Sequence, residues 1–287
     1  MKKTIAILSD VHGNYTALSS VINDIKTNQV DETWFLGDLI MPGTGGDDLF
    51  DLLDEVHTTV FLRGNWDDCL FEVMDSTDPF NFEDSADVYV GILTQYVYAH
   101  LSKKNIEKLR SAPISLEKTV NGVKIQISHN LPNINYGPDL IAQADTPAFN
   151  QLFDTEHTDI AVYGHIHHQV LRYSSLDQLV INPGSIGMAY SKHTRLNKDR
   201  RAQYALLTID DSGVSNVDFK KVNYDISQEA HRADSYNLPY AALYQESIKT
   251  GISRVSDGEL LATINEANGY ISQLKQFLLH EQKRLTK

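Results

Sequence analysis

Three short runs of β-favouring apolar residues, Thr4–Leu8, Thr33–Leu36 and Thr59–Leu62, alternate with helix-periodic stretches over the first sixty residues. No other feature restricts the fold as much. Strand, helix, strand, helix, strand with short connections implies parallel strands joined by crossover helices. Asn14 is placed to cap the first helix, whose apolar face, Leu18, Val21, Ile22 and Ile25, follows the i, i+3, i+4, i+7 spacing. A Pro- and Gly-rich turn at Met41–Gly46 precedes a short helix through Leu49, Leu52 and Leu53.

From Trp66 to Pro113 the rhythm breaks. Eight acids lie between Asp67 and Asp87, and no Lys or Arg lies between Arg63 and Lys103. A loop at 76–84 followed by helical stretches at Val88–Leu101 and Lys103–Arg110 reads as a helical cap insertion, with ordinary peripheral helices as the alternative. Hairpin signals follow. Ile114–Val120 and Val123–Ser128 flank Asn121-Gly122, a pair suited to the two positive-φ positions of a tight hairpin turn. Further strands are expected at Ile160–Tyr163, Val170–Tyr173, Leu179–Ile181, Gln203–Ile209 and Val214–Val222, mostly as antiparallel ribbons. Parallel units and then ribbons suit two packed sheets with helices outside. Beyond Tyr224 strands give way to helices: Ser256 with Glu259 reads as a capping box, and Tyr270–Arg284 as an amphipathic helix. The expected domains are therefore 1–223, with the insertion at about 66–113, and a helical extension over 224–287.

Chemistry-bearing residues recur just past the strand ends. The first strand runs into Asp10-Val11-His12-Gly13-Asn14, the second into Gly37-Asp38 and the third into Arg63-Gly64-Asn65. The Val123 strand runs into Ser128-His129-Asn130, and the Ile160 strand into Gly164-His165-Ile166-His167-His168. Sites in open α/β sheets form at the carboxyl ends of strands, where loops converge. Each Asp or His alone has an ordinary explanation as a helix cap or a hydrogen-bonded side chain. Together Asp10, His12, Asp38, Asn65, His129, His165 and His167 supply seven oxygen and imidazole donors with no thiolate, which suits Mn²⁺, Fe or Zn²⁺. Two such ions about 3.5–4 Å apart can activate a shared water and hold both oxygens of an in-line phosphoryl displacement.

The ordered set D-x-H, G-D, G-N, H and G-H-x-H resembles the calcineurin-like metallophosphoesterase superfamily over residues 4–222, with Asn182-Pro183-Gly184-Ser185 as a further loop near the site. The resemblance implies a four-layer α/β/β/α sandwich of two mixed sheets, carrying here the cap insertion and C-terminal extension. It also implies two divalent ions, taken as Mn²⁺ with Fe or Zn²⁺ as alternatives. One would be held by Asp10, His12, Asp38 and His167, the other by Asp38, Asn65, His129 and His165. A hydroxide bridging them would attack phosphorus, with Asp38, Asn65 and His129 as the catalytic group. The run Gly37–Gly43, the G-N-W sequence and the long C-terminal extension are similar to a bacterial branch of diadenosine tetraphosphate hydrolases and phosphodiesterases. One position departs: the family usually places His after G-N, and here it is Trp66, followed by Asp67 and Asp68. Without that titrating group, acid assistance is absent or comes from another residue such as His168. Leaving groups that depart as stabilised anions are then favoured.

The expected activity is hydrolysis of small nucleotide phosphodiester or phosphoanhydride bonds. The alternatives are a general phosphomonoesterase, acting on sugar phosphates or proteins, and a non-catalytic scaffold. Asn14, Arg63, Trp66 and His168 are the candidate substrate contacts; Trp66 also reads as a packing residue, and Arg63 as an ion-pair partner of Asp67 or Asp68. The basic run Lys192, Arg195, Lys198, Arg200, Arg201 would suit distal phosphates but reads first as a solvated loop. A net charge of −13, from 25 basic and 38 acidic residues, disfavours long nucleic acid or anionic membranes as partners. The single Cys69 excludes an internal disulfide and reads as a buried small hydrophobe. The N-terminal apolar run Ile5–Leu8 falls short of the roughly 7–15 residues of a signal peptide, so the expectation is a cytoplasmic protein. The C-terminal helices are the expected surface for homo-oligomer contacts.

Overall fold

The computed structural model describes residues 1–76, 79–153 and 157–285; two residues of the 76–84 loop, 77 and 78, lie outside them. The strands are β1 (Lys3–Leu8), β2 (Glu32–Phe35), β3 (Thr58–Phe61), β4 (Ser115–Val120), β5 (Val123–Ser128), β6 (Ile160–Tyr163), β7 (Gln169–Tyr173), β8 (Leu179–Pro183), β9 (Ala202–Asp210) and β10 (Gly213–Val222). The helices are α1 (Tyr15–Thr27), α2 (Asp47–Asp54), α3 (Asn65–Asp75), α4 (Ser85–Ala99), α5 (Lys103–Ser111), α6 (Ile226–Ser235), α7 (Ala241–Thr250), α8 (Gly258–Asn268) and α9 (Tyr270–Leu285). None among the described residues is long and apolar enough to cross a membrane.

Two five-stranded mixed sheets form, ordered β10-β9-β1-β2-β3 and β4-β5-β6-β8-β7. Alternation along β1 explains why they stack. Ile5 and Ile7 point one way, into a core shared with Trp34, Leu36, Ile127, Val162, Ile181 and Leu207; Ala6 and Leu8 point the other way, into the helices. Both faces of β1 and β2 are covered, as central parallel strands require. β1, β2 and β3 are parallel, as the sequence rhythm predicts. The second half is less antiparallel than expected, because β5, β6 and β8 run parallel. Their crossovers lack the helical periodicity that marks the earlier ones. Between β5 and β6, the described residues hold turns and a 3₁₀ segment, Thr146–Leu152, which cover the second sheet with Phe149 and Leu152.

Helices α4 and α5 form as expected, and α4 packs against α3, α8 and α9. Asp257, rather than Ser256, caps α8, accepting from the Leu260 N–H. The C-terminal extension is anchored by Glu229, which is fully buried. Its carboxylate accepts from Thr16 N at 3.0 Å, Thr16 Oγ1 at 2.6 Å and Tyr244 Oη at 2.9 Å. Two helices of the extension are thereby tied to the first turn of α1, next to the loop that follows β1.

Candidate metal centre

The loops after β1, β2, β3, β5 and β6 converge and bring all seven predicted donors together. Asp10, His12 and His167 place ligand atoms within 4.8 Å of one another, as do Asp38, His129 and His165. Asp38 joins the groups: its Oδ2 lies 3.6 Å from His12 Nε2 and 3.5 Å from His129 Nε2. Asn65 Oδ1 stands 3.2 Å from His129 Nε2.

Backbone carbonyls orient the rings. His12 Nδ1 meets Met41 O at 2.9 Å, His129 Nδ1 meets Leu36 O at 2.8 Å, and His167 Nδ1 meets Met188 O at 2.8 Å. A carbonyl only accepts, so each Nδ1 carries a proton, and in the neutral ring each Nε2 turns a lone pair inward. His165 is reversed: Nε2 lies 3.1 Å from Gly137 O, leaving Nδ1 for the centre. His12 Nε2 and His167 Nε2 face each other at 3.0 Å. Asp10 Oδ1, buried and without a hydrogen-bond donor, lies 3.3 Å from His167 Nε2. With the rings neutral, lone pairs converging on one buried point are a donor set for a cation. Nitrogen and oxygen donors without thiolate fit borderline divalent metals.

The backbone is held in an unusual state to achieve this. Asp10, His12, Asp38, His165 and His167 all have positive φ, between 52° and 67°. Such conformations cost about 1–3 kcal/mol each outside glycine and persist where surrounding structure imposes them. Here Asp10 N donates to Gly37 O and His12 N to Asp38 O, both at 3.0 Å, while Gly43 N donates to His12 O at 2.9 Å. Close approach also fixes Gly37 (φ 107°), where a Cβ would lie 2.6 Å from Gly64 N and 2.8 Å from His129 Nδ1. The predicted loop at Asn182–Ser185 acts from behind, with Ser185 Oγ donating to Asp10 O at 2.8 Å and Asn182 Nδ2 to Gly164 O at 2.6 Å.

Electrostatics follow the same pattern. Burial opposes ionisation of Asp10 and Asp38, but the surrounding imidazoles outweigh it and hold both below the usual carboxylate range. Burial likewise opposes charge on His129, yet Asp38 and Asp10 lift it to about 9. His165, disfavoured by burial and by His129, falls to about 4.

The superfamily described as the calcineurin-like phosphoesterase superfamily domain matches residues 3–212. The chain belongs to that superfamily. An uncharacterized protein of Methanocaldococcus jannaschii is 26% identical over 255 residues, covering 83% of this chain and 95% of that protein. A metallophosphoesterase structure from Sphaerobacter thermophilus has a TM-score of 0.63 at 21% identity, covering 87% of this chain and 99% of that one. A hypothetical protein from Pyrococcus horikoshii gives 0.69 at 17% identity, with the same coverages. These two structures share the two-sheet fold.

Around this centre, the four predicted substrate contacts divide. Trp66 lines the groove that opens from the centre, its ring 5.8 Å from that of His12 and edge-on to it, while its backbone N–H donates to Asp38 Oδ1 at 2.8 Å. His168 borders a smaller adjoining cavity, shared with His165 and Tyr190. Arg63 is turned away: it pairs with Asp68, and its Nη1 donates to Arg110 O at 2.7 Å. Asn14 is fully buried, capping α1 through Oδ1 while Nδ2 donates to Gly187 O, so it is a scaffold residue. Asn130 is buried too, with Nδ2 donating to Tyr136 O at 2.7 Å.

One residue acts differently from the sequence reading. Asp67, read there with Asp68 as one of two partners for Arg63, leaves that pair to Asp68; it is fully buried and accepts four backbone N–H groups. Its Oδ2 takes Asp38 N at 2.9 Å and Gly64 N at 3.0 Å; its Oδ1 takes Leu39 N at 3.0 Å and Ile40 N at 3.2 Å. Burial and the nearby Asp38 push its pKa up to about 7, against the pull of those donors. It holds the loops carrying Asp38 and Asn65 in one frame. The signal was its place at the third residue of a helix opened by glycine, where a carboxylate reaches back to unpaired N–H groups.

Proposed function

We propose that the chain hydrolyses phosphodiester or phosphoanhydride bonds of small nucleotides, with diadenosine tetraphosphate as the first substrate to test. The observation that carries this reading is the pair of donor clusters joined through Asp38, three of whose histidines, His12, His165 and His167, line a groove of about 930 Å³. That volume suits a small molecule. Asp10, His12, Asp38 and His167 would hold one divalent cation, and Asp38, Asn65, His129 and His165 the other. Bound there, two cations, Mn²⁺ by our reading with Fe or Zn²⁺ as alternatives, would supply charge neutralisation at the phosphoryl oxygens and a lowered pKa for the attacking water.

The chain's own groups do the rest. Asn65 and His129, on the Asp38 side, stabilise charge developing on the phosphoryl oxygens. Trp66 has no proton to give at catalytic pH, so the mouth of the site favours leaving groups that depart as stabilised anions. A nucleoside polyphosphate meets that condition and an alkoxide does not. The indole also offers a face for a nucleobase, a contact worth about 1–3 kcal/mol in single-strand binders. His168, in the adjoining cavity with His165, is the candidate to replace the missing acid.

The experiment is turnover of diadenosine tetraphosphate, bis-p-nitrophenyl phosphate and p-nitrophenyl phosphate by the Mn²⁺-loaded protein. Hydrolysis of the first two supports the reading. Fast turnover of only the monoester overturns it in favour of a phosphomonoesterase.

A further inference from the structure

The groove has a second wall that the hydrolytic chemistry does not use. From His12, His167 and Trp66 it runs along the β8–β9 loop to the connection after α7, where Thr250–Val255 close its far side. Lys192, Lys198 and Lys249 line this wall, and no Asp or Glu lines the groove anywhere. In a chain with 38 acids against 25 basic residues, a carboxylate-free concavity is not what composition supplies. The three lysines have no carboxylate partner among the described residues, a state they share with Lys2, Lys103, Lys104, Lys124 and Lys275; what sets them apart is that they line one groove. Lys108, Lys118, Lys220 and Lys221 each pair with an acid. Arg201 is paired with Asp199, and Arg200 is occupied by the Asn197 carbonyls.

Unpaired ammonium groups gathered on one concave face repel each other and raise a positive potential, which an anion with several charges relieves. A single phosphate held at the metal centre would leave them unneutralised. A chain of phosphates entering from the centre would meet them in turn. The remaining lining, Ile166, Met188, Tyr190, Ile252 and Val255, is apolar or aromatic and suits an organic end group. Resting on the hydrolase reading above, we infer that this wall is a subsite for the phosphates of a polyphosphate substrate beyond the one that reacts. Lys192, Lys198 and Lys249 are its specificity residues. The third comes from the C-terminal extension, which gives that extension a role in substrate choice.

The test is equilibrium binding of inorganic triphosphate and of inorganic phosphate to the full-length chain by calorimetry, with a chelator so that the reading does not pass through the metal centre. Wild type is compared with the K192Q/K198Q/K249Q variant. The expected result is triphosphate binding that weakens with salt and drops about ten-fold in the variant, the sum of three exposed charge contacts. Absence of triphosphate binding to wild type, or equal affinity in the variant, overturns the subsite. A kinetic arm follows the KM for diadenosine tetraphosphate, which should rise about ten-fold more in the variant than the KM for bis-p-nitrophenyl phosphate; equal rises also overturn it. Failure of the hydrolase reading would look different, as no turnover of either diester or anhydride by Mn²⁺-loaded wild type, with triphosphate binding intact.

Discussion

His12 Nε2 and His167 Nε2 stand 3.0 Å apart while both rings keep their Nδ1 protons on backbone carbonyls, those of Met41 and Met188. Two lone pairs at that distance repel unless a positive charge lies between or beside them. The carbonyls fix the tautomers, and Asp10 Oδ1 adds a third donor with no other partner. The preference for a cation is therefore built into the fold before any ion arrives, which is how a site avoids reorganising on binding.

The four-donor grip on Asp67 gives a stability prediction. In Asp67→Asn one carboxylate oxygen becomes an NH₂ group facing two backbone N–H donors. Leaving those buried donors unsatisfied costs about 1–3 kcal/mol each. Urea denaturation should show a loss of about 3–5 kcal/mol, with reduced metal retention because the Asp38 and Asn65 loops lose their common anchor. A loss under about 1 kcal/mol would mean that the carboxylate is not what holds the loops.

Trp66 leads to a change of substrate preference. Trp66→His restores a titrating group at the mouth of the site, where general acid assistance is worth about 10²–10⁴-fold when well placed. The rate on alkyl phosphomonoesters should rise at least about ten-fold relative to that on bis-p-nitrophenyl phosphate. An unchanged ratio would show that the leaving oxygen does not pass this position.

The donor set was legible in the sequence because each ligand directly follows a strand, and strand ends are where loops meet. Asp10, His12, Asp38, Asn65, His129, His165 and His167 could be gathered by that rule alone. Arg63 and Asn14 do not reach the centre as substrate contacts, since adjacency along the chain does not say which way a side chain turns; their other readings, an ion pair with Asp68 and the cap of the first helix, are the ones the structure holds. Arg63 found Asp68, and Asn14 found the first turn of α1 and the Gly187 carbonyl. The parallel pairing of β5, β6 and β8 was hidden because turns and a 3₁₀ segment replace the usual crossover helix between β5 and β6, and strand β7 lies between β6 and β8 in the chain. The far wall of the groove depends on where residues near 250 fold relative to those near 192, a long-range relationship that no local pattern encodes.

Glu32 gives a pH prediction remote from the site. It accepts from Lys118 Nζ and Thr59 Oγ1, both at 2.6 Å, and pairs with Lys3, tying β1, β2, β3 and β4 together. Burial opposes its charge, but the Lys118, Lys3, Thr59 and Trp34 contacts outweigh it and hold the pKa well below the ordinary 4.5. A depressed acid stabilises the fold above its unfolded pKa and loses that contribution as pH falls toward the folded one. The Tm difference between wild type and Glu32→Gln should thus be full above about pH 6 and shrink as pH falls below 4.5. A difference that stays constant down to about pH 3 would show that the charge contributes nothing.

The central claim is that one aspartate joins two cation sites. Metal content per chain after loading with Mn²⁺ and desalting, measured by inductively coupled plasma mass spectrometry on wild type and Asp38→Ala, addresses it most directly. The account predicts two ions per wild-type chain and at most one in the variant. Fewer than two in wild type, or two retained without the Asp38 carboxylate, would contradict it.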